Sequence, residues 1–202
     1  PIGLEPETQK CEAILQAWYP GQQGGTAVAE VLFGDYNPAG KLPVTFYRNV
    51  SQLPDFEDYN MAGRTYRYMQ DVPLFPFGYG LSYTTFGYGK TVLDKNELTA
   101  GQSLKLTVPV TNTGKRNGEE VVQVYLRKQG DAEGPIKTLR AFKRVSIPAG
   151  KTVNVEFDLK DKELEWWDDQ SNTVRVCPGS YDIMVGGSSK EEDLQCTTVA
   201  IK

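Results

Sequence analysis

Hydrophobic positions change their period partway along this chain. From Leu104 onward they alternate: Leu104, Leu106, Val108 and Val110 are interleaved with Lys105, Thr107, Pro109 and Thr111. That is the two-residue period of strands with one buried face. The turn Thr113-Gly114-Lys115-Arg116-Asn117-Gly118 leads into a second strand over residues 120–126. Further strands are predicted over 137–147, 152–159, 173–176, 181–186 and 197–201. Pro148-Ala149-Gly150, Pro178-Gly179 and Gly186-Gly187 supply turn signals between them. About seven short strands at this spacing predict a β-sandwich with immunoglobulin-like packing.

Residues 1–90 have a different texture. Ala13-Ile14-Leu15-Gln16-Ala17-Trp18-Tyr19 is a mostly apolar run suited to a strand buried on both faces of a parallel sheet. After a polar, glycine-rich entry, Ala27, Val28, Val31 and Leu32 recur at helical spacing, and Gly34 supplies the stop. Leu42-Pro43-Val44-Thr45-Phe46 follows as a strand that Pro43 restricts to an edge or an end. Strand, helix, strand is a βαβ unit, and one such unit cannot bury both faces of its own sheet. The region is therefore expected to expose apolar sheet surface, favouring swapping, a homodimer or partial disorder. From Asn49 to Phe86 periodicity disappears, as in an extended segment lying across other surfaces. Arg64-Thr65-Tyr66-Arg67-Tyr68 alternates locally and predicts a short ribbon. The expected division is thus 1–48, 49–90 and 91–202.

Composition adds exclusions. The formal charge of −4 and scattered Lys and Arg argue against nucleic acid or an anionic membrane surface as partner. No apolar run approaches the ~18 residues of a membrane span. The first residue is Pro1 and no signal peptide is visible, so an internal cut from a longer protein is expected. The chain has no histidine, which removes imidazole-dependent triads and zinc sites; no metal or cofactor is expected. Cys11, Cys177 and Cys196 match no zinc or redox spacing and read as small buried hydrophobes, with a Cys177–Cys196 disulfide left open. Asn49-Val50-Ser51 is a formal glycosylation sequon and reads as coincidence.

Two stretches point further. The run from Gly24 to Pro43, with its Trp18-Tyr19-Pro20-Gly21-Gln22 turn, and Pro73-Leu74-Phe75-Pro76-Phe77-Gly78-Tyr79-Gly80-Leu81-Ser82-Tyr83 resemble the carboxyl-terminal part of glycoside hydrolase family 3. Leu139 to Val145 and Pro178 to Gly186 resemble strands of that family's last module. The resemblance covers nearly the whole chain. It implies the end of an α/β sandwich domain followed by a fibronectin type III-like β-sandwich, an α+β combination. It also implies a retaining β-glucosidase or β-xylosidase as parent, with a β-linked oligosaccharide as substrate, an upstream barrel domain as partner and a periplasmic or secreted location. The family's aspartate nucleophile and glutamate acid/base lie upstream of the matching segment. No residue here is assigned a catalytic role, Glu5, Glu7 and Glu12 included.

The remaining candidates stand on their own chemistry. Trp18, Tyr19 and Gln22 sit where ligands gather outside a strand's carboxyl end, which makes them substrate-proximal candidates against plain helix–strand packing. Trp166 and Trp167, followed by Asp168 and Asp169, form an alternative sugar-binding patch; the competing reading puts one ring in the core and the other at an edge. Asp55, Glu57 and Asp58 could hold sugar hydroxyls, or form a solvated loop paired with Arg64 or Arg67.

Overall fold

The computed structural model describes residues 3–202. Its sandwich is built from two sheets, antiparallel throughout except for one short parallel pair at an edge of the second. In the first, β4 (Leu104–Asn112) is central; β7 (Thr152–Leu159) flanks it, and β1 (Phe86–Tyr88) and β2 (Val92–Leu93) pair with it in succession. Pro109 explains why these last two are separate strands. Its carbonyl accepts from the Gly89 amide at 2.8 Å, so its ring nitrogen, which has no proton, faces the same side and interrupts the ladder. The second sheet has the order β3-β11-β10-β5-β6, comprising β3 (Glu97–Leu98), β5 (Gly118–Lys128), β6 (Thr138–Ile147), β10 (Gly179–Gly186) and β11 (Gln195–Ile201). A short helix, α4 (Asp161–Leu164), leads into the hairpin of β8 (Trp166–Asp168) and β9 (Thr173–Arg175). The seven predicted strands are all present; β1, β2, β3 and β8 lack enough alternating residues to be read from sequence.

The alternating side chains meet as predicted. Leu104, Leu106, Val108 and Val110 of β4 belong to one buried cluster with Val122, Val124 and Leu126 of β5, Ile183 and Val185 of β10 and Val199 of β11. Burying each contributes about 1.5–3 kcal/mol. β4 and β7 alternate in burial along their length, as expected of a sheet with one solvated face. β5 and β10 do not: residues 122–126 and 181–186 are buried without interruption. Their second face is covered by residues 37–85.

That cover is specific. The Tyr66 ring stacks on Phe77 at 4.3 Å and meets Tyr125 of β5 edge-on at 5.8 Å. Tyr66 also accepts the Leu139 amide through its hydroxyl at 3.1 Å. Gln123 donates to the carbonyls of Gly78 (3.1 Å) and Gly187 (2.6 Å), and its own carbonyl accepts from the Tyr125 hydroxyl. A β-carbon on Gly78, at φ +78°, would lie 2.0 Å from the Gln123 side-chain oxygen, so glycine is obligatory there. At the sheet's end Glu120 is buried between Lys41, 3.1 Å away, and the Tyr88 hydroxyl at 2.9 Å. Asn37 holds the next corner, donating to Asn117 and accepting from Ser82 and the Tyr83 amide.

Ahead of this cover lie α1 (Glu5–Lys10) and α2 (Gly24–Phe33), the latter ended by Gly34 in the left-handed conformation, as the sequence predicts. Other expectations for this region are corrected. Residues 13–19 form no strand: among the described residues there is no neighbouring strand to pair with, and Ile14 and Leu15 are exposed. The strand expected at 42–46 is reduced to one bridge, Phe46 to Phe75. Residues 64–68 are not a ribbon, since Thr65–Tyr68 forms the helical turn α3. Its first residue, Thr65, is held at φ +57°, a strained conformation for a β-branched side chain that costs about 1–3 kcal/mol. Donation from the Thr65 amide to the Tyr47 hydroxyl and from the Tyr66 amide to Thr45 offsets it.

The cysteine reading is half corrected. Cys177 is buried, whereas Cys11 and Cys196 are exposed, and all three are free thiols. A thiol reagent is expected to label Cys11 and Cys196 in the folded protein and Cys177 only after denaturation, as counted by mass spectrometry.

An ionic cluster closes the outer face beyond β10. Burial pushes the Asp182 carboxyl up, but hydrogen bonds from Gln129, Arg127 and Thr198 outweigh it and hold it below the ordinary value. Glu191 is lowered in the same way, with Lys137 and Arg127 overcoming its burial. Depressed carboxylates stabilise the fold above their unfolded range and lose that contribution as pH falls through the folded values. The melting temperature is expected to stay level from about pH 7 to 5 and to fall below about pH 4. Asp182→Asn should flatten that acid limb in a pH series of melting curves.

Candidate functional site

Three places carry the residues singled out from sequence. The first is the turn before α2. Trp18 is at φ +52°, with its ring edge-on to Phe46 at 6.4 Å, and about half of it stays exposed. Tyr19 is fully exposed, and Gln22 makes no side-chain hydrogen bond among the described residues. Pro20 turns back so closely on α2 that a β-carbon on Gly24 would lie 2.4 Å from the proline Cβ. The turn is therefore packed onto the helix. Ile14, Leu15, Leu32 and Phe33, on either side of the turn in sequence, are exposed as well.

The second place is the β8–β9 hairpin, which separates the two tryptophans. Trp166 is 2% exposed: its Nε1 donates to Asp131 at 2.6 Å, its ring meets Tyr181 edge-on at 6.1 Å, and the Arg140 guanidinium lies over it at 5.6 Å. It is a core residue, which removes it as a sugar platform. Trp167 points outward, half exposed, with its Nε1 tied to Asp169 at 2.8 Å and Val174 opposite it on β9. Asp168 accepts from Ser171 and Arg175, and those bonds lower its carboxyl to about 2. The carboxylates that looked available to a sugar are thus occupied by the hairpin itself.

The third place is the loop from Leu53 to Arg64. Arg64 does not pair with the acidic side chains, as the charge pattern suggested. It donates to the backbone carbonyls of Asp55, Asp58 and Asn60. Asp55 and Asp58 each accept a backbone amide two residues on, at 2.9 Å, and Asn60's amide and side chain lower the Asp58 carboxyl below its ordinary value. The loop encloses an open concavity of about 620 Å³ lined mainly by apolar side chains, with Asp55, Asp58 and Arg64 among them. Phe56 and Tyr59, which line it, are 94% and 91% exposed. Neither stands out in the sequence on its own; their interleaving with the three acids is the signal that could have marked them. Among the described residues, no three His, Cys, Asp or Glu side chains are grouped as a metal site would require, and no helix is long and apolar enough to cross a membrane.

The molecule is thus a β-sandwich whose second sheet is overlaid by side chains from residues 37–85. Comparison with known proteins gives that arrangement a family. Residues 1–83 match the glycosyl hydrolase family 3 C-terminal domain, and residues 120–189 match the fibronectin type III-like domain. The chain belongs to glycoside hydrolase family 3 and corresponds to the carboxyl-terminal portion of its members. A xylan 1,4-beta-xylosidase of Xylanibacter ruminicola is 56% identical over 99% of this chain and 23% of its own length. A periplasmic beta-glucosidase of Salmonella typhimurium is 38% identical over 94% of this chain and 26% of its own length. The solved structure of a β-glucosidase from Erythrobacter marinus superposes with a TM-score of 0.83 at 41% identity, over 96% of this chain and 26% of that one. The chain therefore spans about a quarter of the length of the relatives it matches.

Proposed function

We propose that the whole protein is a retaining, exo-acting β-glycosidase of β-xylosidase or β-glucosidase type, and that this chain braces the catalytic part without performing the chemistry. The names of relatives with 56% and 38% identity support the reaction class. Retaining hydrolysis needs two carboxylates about 5–5.5 Å apart, one attacking the anomeric carbon and the other acting as acid and then base. The buried carboxylates of this chain have other work: Glu120 neutralises Lys41, and Asp182 holds Arg127 and Gln129.

The observation that carries the bracing role is the overlay itself. Lys41, Tyr66, Phe77 and Gly78 spend their charged, aromatic and backbone groups on the outer face of the β5–β10 sheet. In this reading residues 1–48 are the end of the α/β domain, 49–90 the extended interdomain segment and 91–202 the sandwich, with the overlay drawn from the first two and residues 86–88 pairing into the sandwich. The exposed Ile14, Leu15, Leu32 and Phe33 would then pack against the preceding part of the α/β domain. In this reading the upstream barrel is the partner, and the protein resides in the periplasm or is secreted, which cell fractionation would check.

The test is enzymatic. The full-length protein is expected to hydrolyse nitrophenyl β-xyloside or β-glucoside, and this chain alone to hydrolyse neither. Turnover by the purified chain would contradict the brace, and a full-length protein inert on both would contradict the reaction class.

A further inference from the structure

We infer that Arg67 and Arg140 together hold one oxyanion, gripped between their two guanidinium groups. The site is independent of the reaction the whole protein performs. Arg48, Arg127, Arg144 and Arg175 each pair with a carboxylate, and Arg64 and Arg116 donate to backbone carbonyls. Among the described residues the Arg67 guanidinium donates to nothing, and that of Arg140 only to the Glu165 carbonyl. The Nε of each is buried without a partner. Charge withdrawn from water is ordinarily paired, because its desolvation is costly unless an opposite charge offsets it.

Two local devices bring these guanidiniums together. The β5–β6 register skips from Val124 opposite Ala141 to Tyr125 opposite Leu139, which leaves Arg140 as the extra residue of a bulge, a place where side chains are re-aimed. The helical turn α3 is clamped against the same stretch. There the Ile136 amide donates to the Arg67 carbonyl at 2.6 Å, and the Leu139 amide to the Tyr66 hydroxyl at 3.1 Å. The two charges feel each other: burial, then Arg67, holds the Arg140 guanidinium below its ordinary value. Neighbouring carboxylates do not neutralise them. Asp131 is committed to the Trp166 indole and the Gly134 amide, and the Glu165 carboxylate makes no ion pair among the described residues. Each guanidinium lies over a ring, Arg67 over Tyr68 at 5.5 Å and Arg140 over Trp166 at 5.6 Å. A ring occupies one face and leaves the N–H edge, which forks onto a carboxylate, phosphate or sulfate. Further protein packed on this face would deepen the burial of both Nε atoms, and would relieve the repulsion only by bringing an anion. The oxyanion is therefore a carboxylate from a part of the protein outside this chain, or a small ion from solution.

The test is a double-variant cycle in the full-length protein, with Arg67→Met and Arg140→Met singly and together. It reads hydrogen exchange of the Ile136 and Leu139 amides by mass spectrometry. Each single variant is expected to lower their protection about tenfold, and the double variant also about tenfold rather than a hundredfold, since losing either arginine already releases the anion. Two bare guanidiniums give the opposite sign: removing one relieves the other, so the double variant would lose more than the product of the singles. That result, or a loss equal to the product, would overturn the site. Should the methionine pair not fold, the cycle with Arg67→Lys and Arg140→Lys keeps the charges and removes the forks. A held oxyanion again predicts a double loss below the product, and a loss equal to the product again overturns the site. Replacing sodium chloride by sodium sulfate at equal ionic strength then separates the sources. Protection that rises in the wild type and not in the double variant identifies an ion from solution, and coupling that sulfate leaves unchanged identifies a carboxylate of the protein.

Discussion

Glu120→Ala is expected to cost about 3–5 kcal/mol, measured as the change in unfolding free energy by urea titration. The magnitude comes from what the alanine leaves behind. Glu120 has 6% of its side chain exposed and Lys41 only 14%, so the ammonium would stay buried without its counter-charge. The lysine's remaining contact would be the Gly80 carbonyl at 3.4 Å. The Tyr88 hydroxyl would also lose its acceptor. Burial, followed by the neighbouring carboxylate, already raises that phenol above its usual range, so it stays a neutral donor in need of a partner. Lys41→Met strands the opposite charge and should cost a comparable amount. The double variant should cost less than the sum, because neither charge is left alone. Since Lys41 belongs to the overlay and Glu120 to β5, the coupling energy measures directly how firmly the two are joined.

Trp166→Ala is expected to cost a similar amount, about 3–5 kcal/mol, through the cavity left by a large buried ring. The loss extends beyond area: Asp131 would lose its indole donor and Arg140 the ring beneath its guanidinium. Arg140 is already under strain as a charge, since burial, then Arg67, lowers its guanidinium. Trp167→Ala, one position on, should change stability by no more than about 1 kcal/mol, because its ring is half exposed. Chemical denaturation of the two variants side by side reads out the core and edge roles of adjacent tryptophans.

Legibility followed the source of each element's partners. β4 and β7 pair with each other and alternate cleanly, so their bounds match the periodicity residue for residue. α2 carries its own stop in Gly34. Residues 13–19 failed as a strand because an apolar run becomes one only when neighbours supply a ladder, and none is present among the described residues. Residues 64–68 failed because two-residue alternation was read where Tyr47 and Thr45 hold the amides of a strained helical turn. The overlay was foreshadowed only as an extended segment across other surfaces. A stronger signal was available in Val121 to Leu126 and Tyr181 to Val185, where hydrophobes do not alternate with solvated residues as they do in β4. Gln123 and Asp182 within those runs mark a second buried face. Among the site candidates, no sequence pattern distinguished Trp166 from Trp167, since core or edge depends on which way the β8–β9 hairpin faces.

The central claim is that the overlay and the sandwich form one cooperative body. Native-state hydrogen exchange tests it most directly. The amides of Leu42, Phe46, Leu74 and Gly78, bonded within the overlay to Tyr79, Phe75, Phe46 and Leu42, are predicted to open with the same free energy as those of β5 and β10, and to lose protection together with them in Glu120→Ala. Exchange of these four amides at the low opening energies of a linker, while β5 and β10 stay fully protected, would contradict it.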